Sequence, residues 1–517
     1  MKSIRLNKNW LPPIFFAIYS VFFLYAQNLG KIFFYQIIPP LFLSILLTIV
    51  SLLIGMLLIK RQDRASIFIT LLIVLFFSYG NVASALKGNF GIRERYSLAC
   101  WGLLLVSGGF LILRSRLKFR HLVSILNLIF AILIIYQLFV ISIYYFHHTK
   151  EGVSAGKHAP VQEITVGEIK GEMPDIYYLI FDRYANEEVL KEFYDFDNSP
   201  FLDALRKRGF YVASESLSNY LRTPLSLASS LNLEYINYLA EQVGRESTDH
   251  VPLFNLLQDY KVWRFLKKRG YSFINFGSWY WMLKDNKFAD RNFELRSHSE
   301  FLIMFYRTTW LYPVMVQLDI GVFDFEHEEY RFNLAKFEAL GKVPQEEGPK
   351  FIFTHMMMPH YPYVFDRDGN YVSYKKARTR TKKRNYVEQL VFTNKKIIEL
   401  VDNIIEESRK PPIIILQSDE GPYPVKYSGM EGELEKTVRW DKVDDQKLRE
   451  KTGILNAYYF PGEKYGNLYP EITPVNSFRV LFNEYFDTDF TLLPDKVYAT
   501  PDVSHPYDFF DITGRVK

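Results

Sequence analysis

Residues 174–185 read PDIYYLIFDRYA, and the character of the chain changes at this point. Ile176–Phe181 is a short apolar run rich in aromatic and branched residues, the mark of a strand buried on both faces, and an acid, Asp182, follows it directly. Residues 148–173, just before it, are polar, glycine-containing and aperiodic, and read as a tether. A folded domain therefore begins at Pro174 and is expected to run to the C-terminus.

Towards the N-terminus the solvent changes. Of 517 residues 49% are apolar, an average that hides a division: charge is sparse from Trp10 to His147 and dense after Lys150. Crossing about 30 Å of hydrocarbon takes about 20 apolar residues, and five stretches qualify, roughly 11–29, 33–59, 66–86, 98–113 and 122–146, the fourth being the shortest. Ile67–Phe77 and Leu122–Tyr145 are apolar around the helix, unlike the one-sided helices of a soluble core. No small-residue cleavage site follows the first stretch, so it is expected to stay as a span. Residues 1–147 thus read as a five-helix transmembrane domain, 148–173 as a linker, and 174–517 as the folded domain.

Orientation follows from basic residues in the short loops. With the N-terminus inside, the cytoplasmic pieces hold Lys2, Arg5, Lys8, Lys60, Arg61, Arg64, Arg114, Arg116, Lys118 and Arg120, against Lys31, Lys87, Arg93 and Arg95 outside. Five spans then put residues 174–517 on the outer face of the cytoplasmic membrane. The net charge of +5 lies largely in those loops, so it argues for topology and against nucleic-acid binding. The single cysteine, Cys100, falls in the fourth span, which leaves the exported domain without disulfides or a thiol nucleophile.

Towards the C-terminus, short apolar runs alternate with amphipathic helices. Phe201–Arg208 reads as a helix, Phe210–Ala213 as a strand, and Val262–Arg269 leads into a strand at Phe273–Phe276. Further strands are expected at Phe351–His355 and Ile413–Leu416, with a helix from about Tyr386 to Glu407 between them. Residues 453–462 and 472–486 read as a strand, a turn and a scaffold helix carrying Asn476 and Arg479. The pattern predicts a doubly wound, mostly parallel α/β sheet, whose ligands sit beyond the carboxyl ends of the strands.

Three of those ends carry chemistry: Asp182 after YYLIF, His355 after FIFT, and Asp419 with Glu420 after IIILQS. Carboxylates gathered at one rim repel unless a cation compensates, so a hard divalent metal is their natural occupant. Taken singly, each acid is as readily a helix cap or a solvated loop charge.

The segments PDIYYLIFDRYA, NYLRTPLSLASSLN, THMMMPHYPY and IILQSDEGP, in this order, resemble the motif set of the sulfatase-like branch of the alkaline phosphatase superfamily. With spans in front, the chain further resembles lipoteichoic-acid synthases and phosphoethanolamine transferases. The resemblance implies that Asp182, Thr223, Asp419 and Glu420 bind metal, that Thr223 is the nucleophile, and that His355 and His360 meet the substrate. Independently of it, Pro224 suits the first position of a helix starting near Leu225, which makes Thr223 the expected N-cap, close to an anion-stabilising helix end.

Two departures refine this expectation. Sulfatases use a Cys or Ser converted to formylglycine, whereas this chain has Thr223, with Ser226 where an arginine would stand, so phosphoryl transfer is favoured over sulfuric ester hydrolysis. Glu420 stands where the resembling enzymes mostly carry histidine, and an all-oxygen set favours manganese, magnesium or calcium over zinc. The expected function is a membrane-anchored, metal-dependent phosphoester transferase or hydrolase acting on membrane lipid or envelope glycan head groups. The alternative is an inactive, sulfatase-like binding protein, which Glu420 motivates.

Overall fold

The computed structural model describes residues 8–29, 32, 34–90, 92, 94–155, 173–278, 280, 282–293, 300–318, 325–427 and 438–517. The chain forms two compact units, residues 1–158 with 297–324, and residues 159–296 with 325–517. The expected linker therefore lies mostly outside the described residues. Its first part continues a helix that ends at Ala155.

The first unit is helical: α1 (Leu11–Ala26), α2 (Ile38–Leu58), α3 (Gln62–Phe90), α4 (Glu94–Arg114) and α5 (Arg120–Ala155). Four segments, Phe34–Leu58, Gln62–Gly88, Tyr96–Arg114 and Arg120–Phe146, are long and apolar enough to cross a membrane. They make this an integral membrane protein. Five full spans are expected from the sequence; four are long enough by this measure, and α1, with 16 residues, extends about 24 Å at about 1.5 Å per residue. It is α1, not the fourth helix, that is shortest. Its sequence is apolar because it is enclosed: Ala17, Val21 and Tyr25 are fully buried, Phe16 meets Phe130 of α5 edge-on, and the Tyr25 and Tyr145 hydroxyls hydrogen-bond at 2.6 Å.

The second unit is built on a seven-stranded sheet. Its strands are β1 (Ile176–Phe181), β2 (Tyr211–Val212), β3 (Ser272–Phe276), β4 (Arg291–Asn292), β5 (Lys350–Met356), β6 (Ile413–Gln417) and β7 (Asn456–Tyr459). They lie in the order β2-β7-β6-β1-β5-β3-β4. The five from β6 to β4 are parallel, and β7 and β2 add an antiparallel edge. All six residues of β1 are buried, and their period of two splits them between two cores. Ile176, Tyr178 and Ile180 pack against helices Thr223–Asn232 and Pro474–Tyr485, while Tyr177, Leu179 and Phe181 pack against Phe325–Leu340 and Lys382–Glu407. Helices therefore cover both faces, which is why a strand this apolar is soluble in the fold.

This order places the site. β1 is central, with β5 on one side and β6 on the other, all running the same way. Residues separated by more than 160 positions in sequence thus finish at one rim.

Candidate active site

At that rim stand Asp182, one residue past β1, His355, paired in register with Ile180, and Asp419, two residues past β6. One ligand atom from each lies within 4.8 Å of the others, and all three residues are buried. His355 Nε2 is 3.8 Å from Asp182 Oδ2 and 3.7 Å from Asp419 Oδ2, too far for a hydrogen bond. Both ring nitrogens of His355, both carboxylate oxygens of Asp419 and Oδ1 of Asp182 are buried without a hydrogen-bond partner. Each such orphan costs about 1–3 kcal/mol, more when charged, so a cluster of five is a site that fits a cation.

Electrostatics agree. Two carboxylates at this separation repel by roughly 3 kcal/mol at an effective dielectric of about 20. Burial, then Asp419, push the pKa of Asp182 well up, against the pull of Arg183. Burial would raise Asp419 as well, but His355 and then Thr223 hold it at about 2. One acid of the pair stays ionised and the other is driven towards protonation, which a divalent ion would reverse.

Thr223 opens helix Thr223–Asn232, one residue later than the cap position expected of it. Arg222, in extended conformation, is the N-cap, and Pro224 is the second helical residue. Leu225 and Ser226 already donate their amides to Arg222 O at 3.1 and 3.0 Å, and Pro224 has no N–H. Among the described residues, the Thr223 amide is thus the donor of this turn not drawn into the helix. The anion-stabilising character expected of this helix end narrows to that one amide.

Glu420 does not join the cluster. Arg183 Nε donates to its Oε1 at 2.8 Å, and Lys451 Nζ reaches the same oxygen at 2.8 Å. All three residues are buried, and both cations lie 4.6 Å from the Tyr423 ring. Arg183 reaches Glu420 because its left-handed backbone, φ 60°, turns the chain sharply after Asp182. Tyr386 OH holds that turn by donating to Arg183 O at 2.7 Å. Of the donors expected from the sequence, Asp182 and Asp419 converge, Glu420 Oε1 is held by two cations, and His355 brings a nitrogen to the two aspartates.

The protein-family model described as Sulfatase matches residues 192–479, more than half of the chain. The chain belongs to the sulfatase family. The match takes in Thr223, His355, His360, Asp419 and Glu420 and begins after Asp182. Among solved structures, the chain is similar to the C-terminal periplasmic domain of EcEptC from Escherichia coli in complex with Zn. That likeness has 12% identity and a TM-score of 0.41, and covers 66% of this chain and 90% of the other. It is also similar to the integral membrane protein lipooligosaccharide phosphoethanolamine transferase A from Neisseria meningitidis, at 12% identity and a TM-score of 0.36, covering 92% and 95%. No curated protein matches. This sulfatase-family protein also carries four helical segments long and apolar enough to cross a membrane.

The remaining candidates lie around the cluster. His360 lies in the loop after β5, where its Nδ1 meets the Tyr361 carbonyl oxygen and Gln389 Nε2 donates to its backbone oxygen at 2.7 Å. It is not among the three residues whose ligand atoms converge. Asn219 ties the segment before Thr223 to helix Pro474–Tyr485, accepting from Val475 N at 2.8 Å and donating to Thr473 Oγ1 at 2.9 Å. Asn476 and Arg479 bond to backbone carbonyls of the 491–493 segment and of Leu233. In the segment after Glu420, residues 428–437 lie outside the described residues.

Sequence reading missed three cations. Lys451 sits in DQKLREKT, which reads as a solvated helix, yet it is fully buried. Arg183 is masked by its place in an apolar motif. Lys336, also fully buried, donates to His355 O at 2.8 Å and Gly277 O at 2.6 Å and so fixes the strand end that carries the imidazole. Glu420→Gln leaves Arg183 and Lys451 without their carboxylate, and is expected to lower stability by about 3–5 kcal/mol in denaturant unfolding while metal content is retained. Loss of metal at unchanged stability would instead make Glu420 a ligand.

Proposed function

We propose that the protein is a metal-dependent phosphoester transferase or hydrolase, exported to the outer face of the cytoplasmic membrane, in which Thr223 is the nucleophile and lipid or envelope-glycan head groups are the substrates. The observation that carries this reading is the buried, unpartnered Asp182–His355–Asp419 cluster, with the Thr223 side chain close enough to Asp419 to lower its pKa.

The cluster favours an enzyme over an inactive binding protein. Where resembling enzymes carry a histidine next to the late aspartate, this chain has Glu420, engaged in ion pairs. His355, from the neighbouring strand, supplies the imidazole instead. A mixed set of one imidazole, two carboxylates and a hydroxyl fits manganese or zinc better than magnesium or calcium. A bound divalent ion would acidify the Thr223 hydroxyl and polarise the phosphoryl group.

The protein's own groups then do the following. Asp182, His355 and Asp419 hold the cation, and Lys336 holds His355 in register through its backbone. Thr223 Oγ1 forms a bond to phosphorus as the bond to the leaving oxygen breaks, and the hydroxyl proton passes to the departing alkoxide. The Thr223 amide is placed to stabilise charge on a phosphoryl oxygen. Water or an acceptor hydroxyl next attacks phosphorus, the Oγ1–P bond breaks, and Thr223 regains a proton. Anchoring by membrane-spanning helices favours transfer between surface-bound substrates. A threonine cannot become formylglycine by the route open to Cys or Ser, which argues against sulfuric ester hydrolysis.

Incubating the full chain with membrane lipid extract and digesting it for mass spectrometry is expected to reveal a phosphoryl-linked group on the peptide that carries Thr223. Prior chelation should abolish that adduct. An adduct on any other residue, or one formed equally after chelation, would overturn the assignment.

A further inference from the structure

Residues 300–318 (EFLIMFYRTTWLYPVMVQL) interrupt the sulfatase-family region in sequence, yet they belong to the helical unit. They form two helices, Glu300–Thr308 and Leu311–Gln317. We infer that this segment is an interfacial membrane element: a helix pair seated among the ends of the spanning helices, with its outer side in the lipid head-group layer.

Its inner side is packed as tightly as a protein core. Phe301 is fully buried, and Phe305 and Thr309 nearly so. Phe301 meets Tyr25 of α1 edge-on at 6.3 Å, and Phe305 stacks on Phe77 of α3 at 5.3 Å. The amide of Trp310 donates to Phe76 O at 2.8 Å. A methyl group on Gly80 of α3 would stand 2.6 Å from Arg307 O and from Thr308 Cα, so the two backbones touch only because this residue is glycine.

The depth of the seat follows from helix lengths. Phe76 and Gly80 are 14 and 18 residues into α3, about 21–27 Å along its axis, close to the far boundary of a hydrocarbon layer about 30 Å thick. Tyr25 closes α1, and Tyr145, bonded to it, is near the apolar limit of α5. Phe34 and Tyr35, exposed, lead into α2, and the Phe34 ring meets Tyr25 at 5.7 Å. One end of the bundle is thus ringed by aromatic residues, as membrane interfaces are.

The outer side of the segment has the matching chemistry. In sequence, residues 300–318 hold only two charged residues, Glu300 and Arg307, and the aromatic side chains that are not buried are Trp310 and Tyr312. Trp310, Leu311, Tyr312, Val314 and Met315 are half-buried, and Leu318 is 62% exposed. Continuous with lipid-facing helices, an apolar margin edged by Trp, Tyr and one Arg suits the head-group layer and not bulk water.

The single cysteine makes the test direct. In a Cys100→Ser background, nitroxide labels are placed at Leu311→Cys, Leu318→Cys and, as an aqueous control, exposed Lys207→Cys, with the full chain in phospholipid nanodiscs. The ratio of oxygen to nickel-complex collision rates is expected to be several-fold higher at 311 and 318 than at 207. Equal ratios at all three sites would overturn the proposal. Adding Gly80→Leu forces a side chain into the Arg307–Thr308 backbone, and should shift the 311 label towards the aqueous ratio. An unchanged ratio there would refute the seating on α3.

Discussion

Thr223→Ala is expected to reduce turnover of a phosphodiester such as bis-p-nitrophenyl phosphate by on the order of 10^3-fold or more, while bound metal stays within a few-fold of wild type. That loss is about 4 kcal/mol of transition-state stabilisation, too large for an ordinary capping residue. The structure sharpens the argument, because Arg222 and not Thr223 is the N-cap. A cap substitution costs about 0.5–2 kcal/mol of stability, and Thr223 does not hold that position, so Thr223→Ala should leave the unfolding midpoint nearly unchanged. Thr223→Ser, which keeps the hydroxyl, should retain a measurable fraction of the rate. An Ala variant that turns over at the wild-type rate with metal bound would remove Thr223 from the chemistry.

His355→Gln should weaken metal binding more than about 100-fold, since groups that merely orient ligands are already worth 10–100-fold. Glutamine is neutral and similar in reach, so the substitution removes a ligand nitrogen without adding charge beside Asp182 and Asp419. Titration of the full chain with manganese or zinc, read by elemental analysis after equilibrium dialysis, measures this without recourse to activity. The contrast with Glu420→Gln is the decisive part. If Glu420→Gln loses the ion and His355→Gln keeps it, the ligand set read from the sequence motif is correct and the relocated imidazole is not. Because Lys336 grips His355 through its backbone oxygen, the strand end should survive the side-chain change and the comparison stays clean.

Much of the architecture was legible because it rests on local, periodic signals. β1, β5 and β6 and the helix ending at Glu407 appear where the apolar runs and periodicities place them, within a few residues. The reading slipped where length or packing decides. α1 is apolar because it is surrounded by other helices, and at 16 residues it is the shortest of the five. Residues 300–318 escaped notice because Arg307 and two threonines break an apolar run that only the neighbouring α1 and α3 explain.

For the candidate site, the sequence alone determined which groups stand at strand ends: Asp182, His355, Asp419 and Glu420 each follow a buried run, and the backbone period fixes that locally. Which of them meet was decided by strand order, a long-range property that no local pattern encodes. Placing β1 between β5 and β6 joins His355 to the two aspartates. The surroundings of Glu420 were set by two cations. Arg183 is turned towards it by one left-handed residue, and Lys451 is delivered from a helix, 31 positions further along the chain. A carboxylate in a motif looks the same whether metal or an ion pair awaits it, and only the tertiary fold brings the partner that distinguishes the two.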